Sequence, residues 1–296
     1  MTPQLREIPN AVAEADQLPR VNWVVVDRWL EASFVRADRR AGAQLELVLQ
    51  WLELLAERLG DDYWINSAPR CVLLTNQSRR EGDDLLRFAE RVLDQIAQLL
   101  DTKPDARGAP KHVLVRLDSI ELYYTYISYY YSEGEYGGSG GMCIREGMPH
   151  IAFPRGRGTE QLVIAHELTH AVLNELDAPH WIEEGVTQIV EQQLAGRPEI
   201  LLNHETARDL RAYWNSQRLN DFWNGKSFHS PDKGQEFSYQ LAEVLVRLIL
   251  ADHRRVFLKF LEEAKREDGG EAAAREHLGK SLNDIAATFL GALSPP

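Results

Sequence analysis

Apolar residues recur along the first half of the chain at spacings that predict alternating helices and strands. Between residues 43 and 59 they return every three or four positions, which is typical of an amphipathic helix. A second helix of this kind is predicted over residues 83–100. The apolar runs Cys71–Thr75 and His112–Leu117 are short enough to be buried strands. We therefore expect strands and helices to alternate here.

The next stretch predicts a further helix and then a hairpin. Asp118 and Glu121 have the spacing of a capping box, so we expect a helix to begin at Asp118. Seven of the ten tyrosines lie between Tyr123 and Tyr136, and we interpret them as core packing rather than as the lining of a cleft. A glycine-rich loop leads into a hairpin predicted over 142–145 and 150–153.

From residue 197 onward the pattern is helical. Helices are predicted over 204–219, 236–250 and 254–266, with a last one beginning near Ser281. The expected fold class is α+β, with a small mixed sheet, an edge hairpin and a helical C-terminal half. We expect a helical extension over 1–66 and a main domain over 67–296, whose sheet part covers 67–196 and whose helical part covers 197–296.

The pentapeptide His166-Glu167-Leu168-Thr169-His170 follows the hairpin on a predicted helix. Two histidines four residues apart lie on one helix face, with Cβ atoms about 5–6 Å apart, close enough to share one ion. Glu167 lies beside them and can hold or deprotonate a water molecule on that ion. This arrangement indicates the site of a zinc hydrolase.

A catalytic zinc ion usually has three protein ligands and one water, so a third ligand is expected. A second helix is predicted to begin just after Pro179, and Glu184 lies on it, 14 positions after His170. This helix can fold back antiparallel onto the first. His180 and Glu183 are the alternatives. The metzincin pattern is excluded, because positions 173 and 176 are both leucine.

The stretch HELTHAVL followed by WIEEGVTQ resembles the gluzincin metallopeptidases, and more narrowly the bacterial peptidase-MA-like domains. The resemblance implies a zincin-like catalytic domain, zinc as cofactor and a peptide or protein substrate. It implies that His166, His170 and Glu184 hold the metal and that Glu167 is the general base. Thermolysin-type members carry an Asp four residues after the ligand Glu, which supports a ligand His. Here that residue is Gln188, which adds no negative charge.

The resemblance also suggests two further elements of a peptidase site. The edge strand before the zinc helix, assigned to Gly140–Ile144, would pair with the substrate backbone. Tyr239, at the start of a helix, is the candidate donor to the oxyanion; simple packing of its ring is the alternative. His229 is a second candidate donor, and a surface histidine is its alternative interpretation.

Charge and composition narrow the function classes. The net charge of −12 argues against nucleic acid as the main partner. The two cysteines indicate no disulfide framework. No signal peptide and no apolar run of membrane-spanning length is found, so we expect a cytoplasmic protein without a membrane partner. The alternative to a peptidase is a catalytically silent relative acting as a binding or scaffold module, although such relatives often lack the general base or a ligand.

Overall fold

The computed structural model of the chain describes residues 3–13, 18–102, 110–131, 140–156, 160–174, 176–196 and 204–291. The elements are β1 (Val12–Ala13), β2 (Arg20–Val21), α1 (Trp23–Ser33), α2 (Ala37–Leu59), β3 (Trp64–Ser67), β4 (Cys71–Thr75), α3 (Arg79–Leu99), β5 (His112–Leu117), α4 (Ile120–Ile127), β6 (Met142–Ile144), β7 (His150–Pro154), α5 (Glu160–Leu173), α6 (His180–Ala195), α7 (His204–Tyr213), α8 (Ser216–Trp223), α9 (Lys233–Glu263), α10 (Glu271–Ala273) and α11 (Leu282–Leu290).

Two compact units can be distinguished. The first consists of residues 1–94 and 103–171, and the second of residues 95–102 and 172–296. The strands of the described residues lie in the first unit, and α6–α11 lie in the second. The predicted α+β class is confirmed at this level. The predicted division at residue 66 stays a prediction.

The first unit is built on a mixed sheet with the strand order β3-β4-β5-β7-β6. β4, β5 and β7 are parallel, and β3 and β6 pair antiparallel at the two edges. All five residues of β4 are buried, as expected for a central parallel strand covered on both faces. β1 and β2 form a separate two-stranded hairpin. The predicted hairpin is β6 and β7, which makes β6 an edge strand.

A buried histidine lies in the core of this unit. His150 is 3% exposed and contacts Trp51 edge to face, with ring centroids 5.2 Å apart. Its Nδ1 lies 2.7 Å from the Met148 carbonyl, which only accepts, so Nδ1 carries the proton. The Tyr126 hydroxyl then donates to Nε2 over 2.7 Å. Burial lowers the pKa of His150 to about 4, so the ring is neutral near pH 7.

The second unit is organised around α6 and α9. Every residue of α6 from Trp181 to Glu191 is buried, and α9 packs along it. Gly185 is required at their crossing, because a Cβ there would lie 2.6 Å from the Ala242 carbonyl oxygen and 2.5 Å from Val246 Cγ2. The backbones therefore approach more closely than any larger residue would allow.

Several predicted boundaries differ from the structure. Ser119, not Asp118, caps α4 by accepting a hydrogen bond from the Leu122 N–H; either side chain can cap, and the helix begins one residue later. The helix predicted over 204–219 is two helices, α7 and α8. The break predicted between the helices 236–250 and 254–266 is confirmed, because α9 consists of two helical parts that meet at a kink where His253 has non-helical angles. The first part begins earlier than predicted, at Lys233, and the second ends earlier, at Glu263. The capping box at Ser281 is confirmed.

Among the described residues, no helix combines the length and the apolar character needed to cross a membrane.

Candidate metal centre

α5 carries the HExxH residues and buries its opposite side. Ile164, Ala165 and Leu168 are completely buried, so the apolar positions determine which side of α5 faces the core. His166 and Glu167 are half-buried, and His170 is 9% exposed. The helical spacing therefore leaves the two imidazoles and the carboxylate together on the less covered side. The sequence also predicts that Thr159 caps this helix, and Thr159 lies outside the described residues.

A buried ion pair fixes the beginning of α5 on the sheet. The Arg116 guanidinium, 2% exposed on β5, donates to Glu160 Oε1 over 2.9 Å and to Asn76 Oδ1 over 2.8 Å. Glu160, the first residue of α5, also accepts from the side chain of Gln77 and the N–H of Gly156. A buried guanidinium needs such partners, because an unpaired buried charge is costly. The network holds the first turn of α5 in place, two turns before the histidines.

The two histidines present the same nitrogen to each other. Nε2 of His166 and Nε2 of His170 lie 3.1 Å apart, and their rings are inclined at 67°. Two nitrogens bound to one tetrahedral zinc ion at ~2.0–2.1 Å would be about 3.3 Å apart. The observed separation thus suits two ligands of one ion.

Glu167 is held by the edge strand. The N–H of Cys143 donates to Glu167 Oε2 over 2.7 Å. Cys143 lies opposite Ile151 in the pairing of β6 with β7, and its N–H is directed to the other side, away from β7. Gly141 allows this close approach, since a Cβ there would overlap Val163 of α5. A carboxylate has about four acceptor positions, so this bond leaves others for a water molecule.

Glu184 lies on α6 and is 3% exposed. The residue that follows it, Gly185, lies against α9 as described above. The E-G pair thus has two separate roles, since one residue supplies a carboxylate and the next lets α9 approach the backbone.

The structure brings the three predicted ligands together. One ligand atom from each of His166, His170 and Glu184 lies within 4.8 Å of the other two, so this group could hold a metal ion. Two imidazole nitrogens and a carboxylate oxygen form the ligand set of a His2Glu zinc centre. The chemistry of the residues present therefore fits the predicted cofactor.

The alternatives for the third ligand lie close to Glu184 but have other contacts. Glu183 Oε1 accepts from Arg266 over 2.7 Å, and Glu183 is 1% exposed. His180 Nε2 lies 3.6 Å from Glu184 Oε1, so the imidazole borders the ligand carboxylate. Gln188 is buried one turn after Glu184 on α6; its support of a ligand histidine stays a prediction.

The two candidate oxyanion donors lie in one aromatic cluster of the second unit. The Tyr239 ring packs edge to face on Phe228, with centroids 5.3 Å apart. His229 is exposed and stacks on His180, with centroids 6.0 Å apart and planes inclined at 10°. Phe228 also contacts His180. The ring of Tyr239 is therefore packed, as the alternative interpretation expected. The role of its hydroxyl as an oxyanion donor stays a prediction.

Glu263, Glu276 and His277 form a second group of suitable spacing. Both carboxylates are exposed, and the His277 imidazole is hydrogen-bonded to Glu263 over 2.8 Å. This hydrogen bond and the surrounding solvent satisfy the three side chains without an ion.

Comparison with known proteins adds no relative. No protein-family model matches the chain, and neither a curated protein nor a solved structure matches it.

Two contributions to the site were missed in the sequence, the N–H of Cys143 and the ion pair of Arg116 with Glu160. The donor to Glu167 is a backbone N–H, which any residue except proline offers at position 143. Arg116 did give a signal, because a charged residue inside the apolar run His112–Leu117 needs a buried partner. Its partner Glu160 lies 44 residues away.

Proposed function

We propose that this protein is a zinc-dependent peptidase of the gluzincin type, with a zincin-like catalytic domain. The observation that supports this most is the group formed by His166, His170 and Glu184, with Glu167 in the same helical turn as the histidines. A bound zinc ion would lower the pKa of its water to about 7 and polarise the scissile carbonyl.

Residues of the chain would bind the ion and transfer the proton. The Nε2 atoms of His166 and His170 and the carboxylate of Glu184 would hold the ion. Glu167 would take a proton from the attacking water and pass it to the leaving amine. The Cys143 N–H would keep the Glu167 carboxylate turned toward the site, because a charged acceptor binds an N–H more strongly than a neutral one does.

Substrate contacts follow the family resemblance and the edge position of β6. We propose that the strand edge at Gly140–Ile144 receives an extended peptide backbone. The Tyr239 hydroxyl is the proposed donor to the developing oxyanion, with His229 as the second candidate. We also propose that the protein acts in the cytoplasm.

The metal is tested first, on protein purified without added metal. Elemental analysis should find about one zinc per chain. His166→Ala and His170→Ala should each abolish its retention, whereas His277→Ala should not. Zinc retained in full by both HExxH variants would place the metal elsewhere.

Turnover is tested by proteomic substrate profiling of the wild type against Glu167→Gln. The amide keeps the shape of the side chain but cannot accept the water's proton, so we expect about 10²–10⁴-fold slower cleavage with unchanged zinc. Glu53→Gln is the matched control, because that carboxylate is exposed on α2. Equal cleavage by wild type and Glu167→Gln would contradict the mechanism.

A further inference from the structure

A cavity in the second unit is lined by basic side chains, although the protein as a whole is acidic. It has a volume of about 360 Å³ and is lined by Pro179, His180, Trp223, Asn224, Gly225, Lys226, His229 and Arg266. Two of these residues carry permanent positive charges, two are imidazoles, and among the described residues no Asp or Glu lines the cavity. The chain has 45 acidic and 33 basic residues. A cavity lined by basic residues without an acidic one is therefore not what this composition alone would produce.

We propose that this cavity binds a carboxylate of the substrate, either its C-terminal carboxylate or an acidic side chain. The inference rests on the proposed peptidase function for its biological meaning, and on the second unit alone for its geometry.

The cavity offers several N–H donors to a carboxylate. Lys226 is exposed and offers an ammonium group with three N–H donors. Arg266 uses Nη2 for Glu183, 2.7 Å away, and its Nε lies 3.8 Å from Asp177 Oδ1, so Lys226 supplies the larger part of the positive charge. The Arg266 guanidinium also has the two N–H groups of Nη1. Asn224 Oδ1 accepts from the Lys226 backbone, so its amide nitrogen is a separate donor. Charge-assisted hydrogen bonds of this kind are the strong ones.

The cavity lies beside one of the candidate metal ligands. His180 lines the cavity, and its Nε2 lies 3.6 Å from Glu184 Oε1. One imidazole thus separates the cavity from the carboxylate that would hold the metal. An extended peptide advances about 3.3 Å per residue, so a carboxylate in the cavity would belong to a residue near the scissile bond.

The shape of the cavity also suits a small ligand. Trp223 and Pro179 form apolar walls next to the cationic groups. Apolar walls with a few convergent polar groups are characteristic of small-ligand sites, and a volume of this size accommodates one amino-acid residue. The cavity thus suits a carboxylate with a short apolar stem.

Binding is measured first, on protein freed of metal by a chelator, since a carboxylate would otherwise bind the zinc. The probe is an N-terminally fluorescein-labelled alanine-rich pentapeptide with a free C-terminal carboxylate, compared by anisotropy with its C-terminal amide. We expect the free acid to bind about three- to tenfold more tightly, with the difference falling as salt is added. A second pair, with C-terminal amides and Glu or Gln inside, identifies an acidic side chain as the ligand if the preference follows it.

Lys226→Met should reduce the preference for the acid to less than about twofold, because it removes one full charge from the cavity. Lys280→Met is the matched control: that lysine is exposed and does not line the cavity, so the preference should persist. Equal affinity for acid and amide in both peptide pairs would overturn the proposal, and so would an unchanged preference in Lys226→Met.

Cleavage separates this proposal from the proposed function. If the zinc-loaded protein cleaves no peptide while the metal-free protein still prefers the acid, the peptidase assignment fails and the cavity assignment stands. If it cleaves acid and amide peptides equally and binds them equally, the cavity assignment fails and the peptidase assignment stands.

Discussion

Replacing Gly185 by alanine tests the closest contact in the second unit. The added Cβ would lie 2.6 Å from the Ala242 carbonyl oxygen and 2.5 Å from Val246 Cγ2. Carbon atoms pack at about 3.5–4.0 Å, so α6 and α9 would have to separate by about 1 Å. The obstacle is partly backbone, which cannot rotate away as a side chain can.

The magnitude follows from two opposed effects. Overpacking of this kind costs ~1–3 kcal/mol, and the backbone contact indicates the upper end. Replacing glycine by alanine inside a helix gains about 1 kcal/mol. We therefore expect Gly185→Ala to destabilise the protein by about 2 kcal/mol, which corresponds to a fall in Tm of about 4–8 °C.

Gly42→Ala is the matched control, since nothing lies within 4 Å of a Cβ added there. The same substitution on α2 should raise Tm by a few degrees, because only the helix propensity changes. The assay is thermal unfolding of both variants in chelator, followed by zinc titration. Gly185→Ala should also bind zinc more weakly, because α6 carries Glu184. Equal or higher stability of Gly185→Ala would refute the close crossing of α6 and α9.

Three further outcomes are expected. Burial lowers the pKa of His150 in the folded state, so its contribution to the free energy of unfolding is complete above pH ~6.5 and is lost as the pH falls toward 4. Urea unfolding of the metal-free protein should show a loss of ~1.4 kcal/mol per pH unit, up to about 3 kcal/mol, and His150→Gln should show a flatter dependence on pH. Glu184→Ala should weaken zinc binding more than Glu183→Ala in titrations with a competing chelator; the reverse order would move the third ligand. Cys143→Pro removes the N–H that binds Glu167 and should lower kcat about tenfold or more at equal zinc content, whereas Cys143→Ala, which keeps it, should not.

The parts of the fold that depend on local spacing were predictable from sequence. The helical period over residues 43–59 predicted the later part of α2, and the two buried strands, β4 and β5, have the predicted bounds. The pair His166 and His170 belongs to the same class, since four residues along one helix fix both side chains on one face. None of these predictions required knowledge of distant contacts.

Predictions that depend on competition between neighbouring signals were less accurate. Asp118 and Ser119 can both cap a helix. The spacing predicted Asp118, and the structure has Ser119 as the cap. The break predicted between residues 250 and 254 is confirmed, by contrast, as the kink at His253.

The site required contacts between residues far apart in the chain. Spacing alone left Glu184, His180 and Glu183 open as the third ligand, and the resemblance to gluzincins selected Glu184. The structure adds a physical reason that spacing lacks: the Glu183 carboxylate is bound by Arg266, 83 residues later. Such a pairing has no local signature.

The short edge strand β6 also affects how the protein behaves at high concentration. An open strand edge is a template on which another chain can add a strand, which is a common route to aggregation. Here the Cys143 N–H donates to Glu167, and the Arg145 N–H lies 3.5 Å from the Tyr131 hydroxyl. These two N–H groups are thus bound by side chains of the same molecule, so a long strand of a second copy would find both of them already used. A substrate backbone at Gly140–Ile144 would have to pair with the rest of the edge. The contact that orients the proposed general base thereby also helps to keep the molecules apart in a crowded solution.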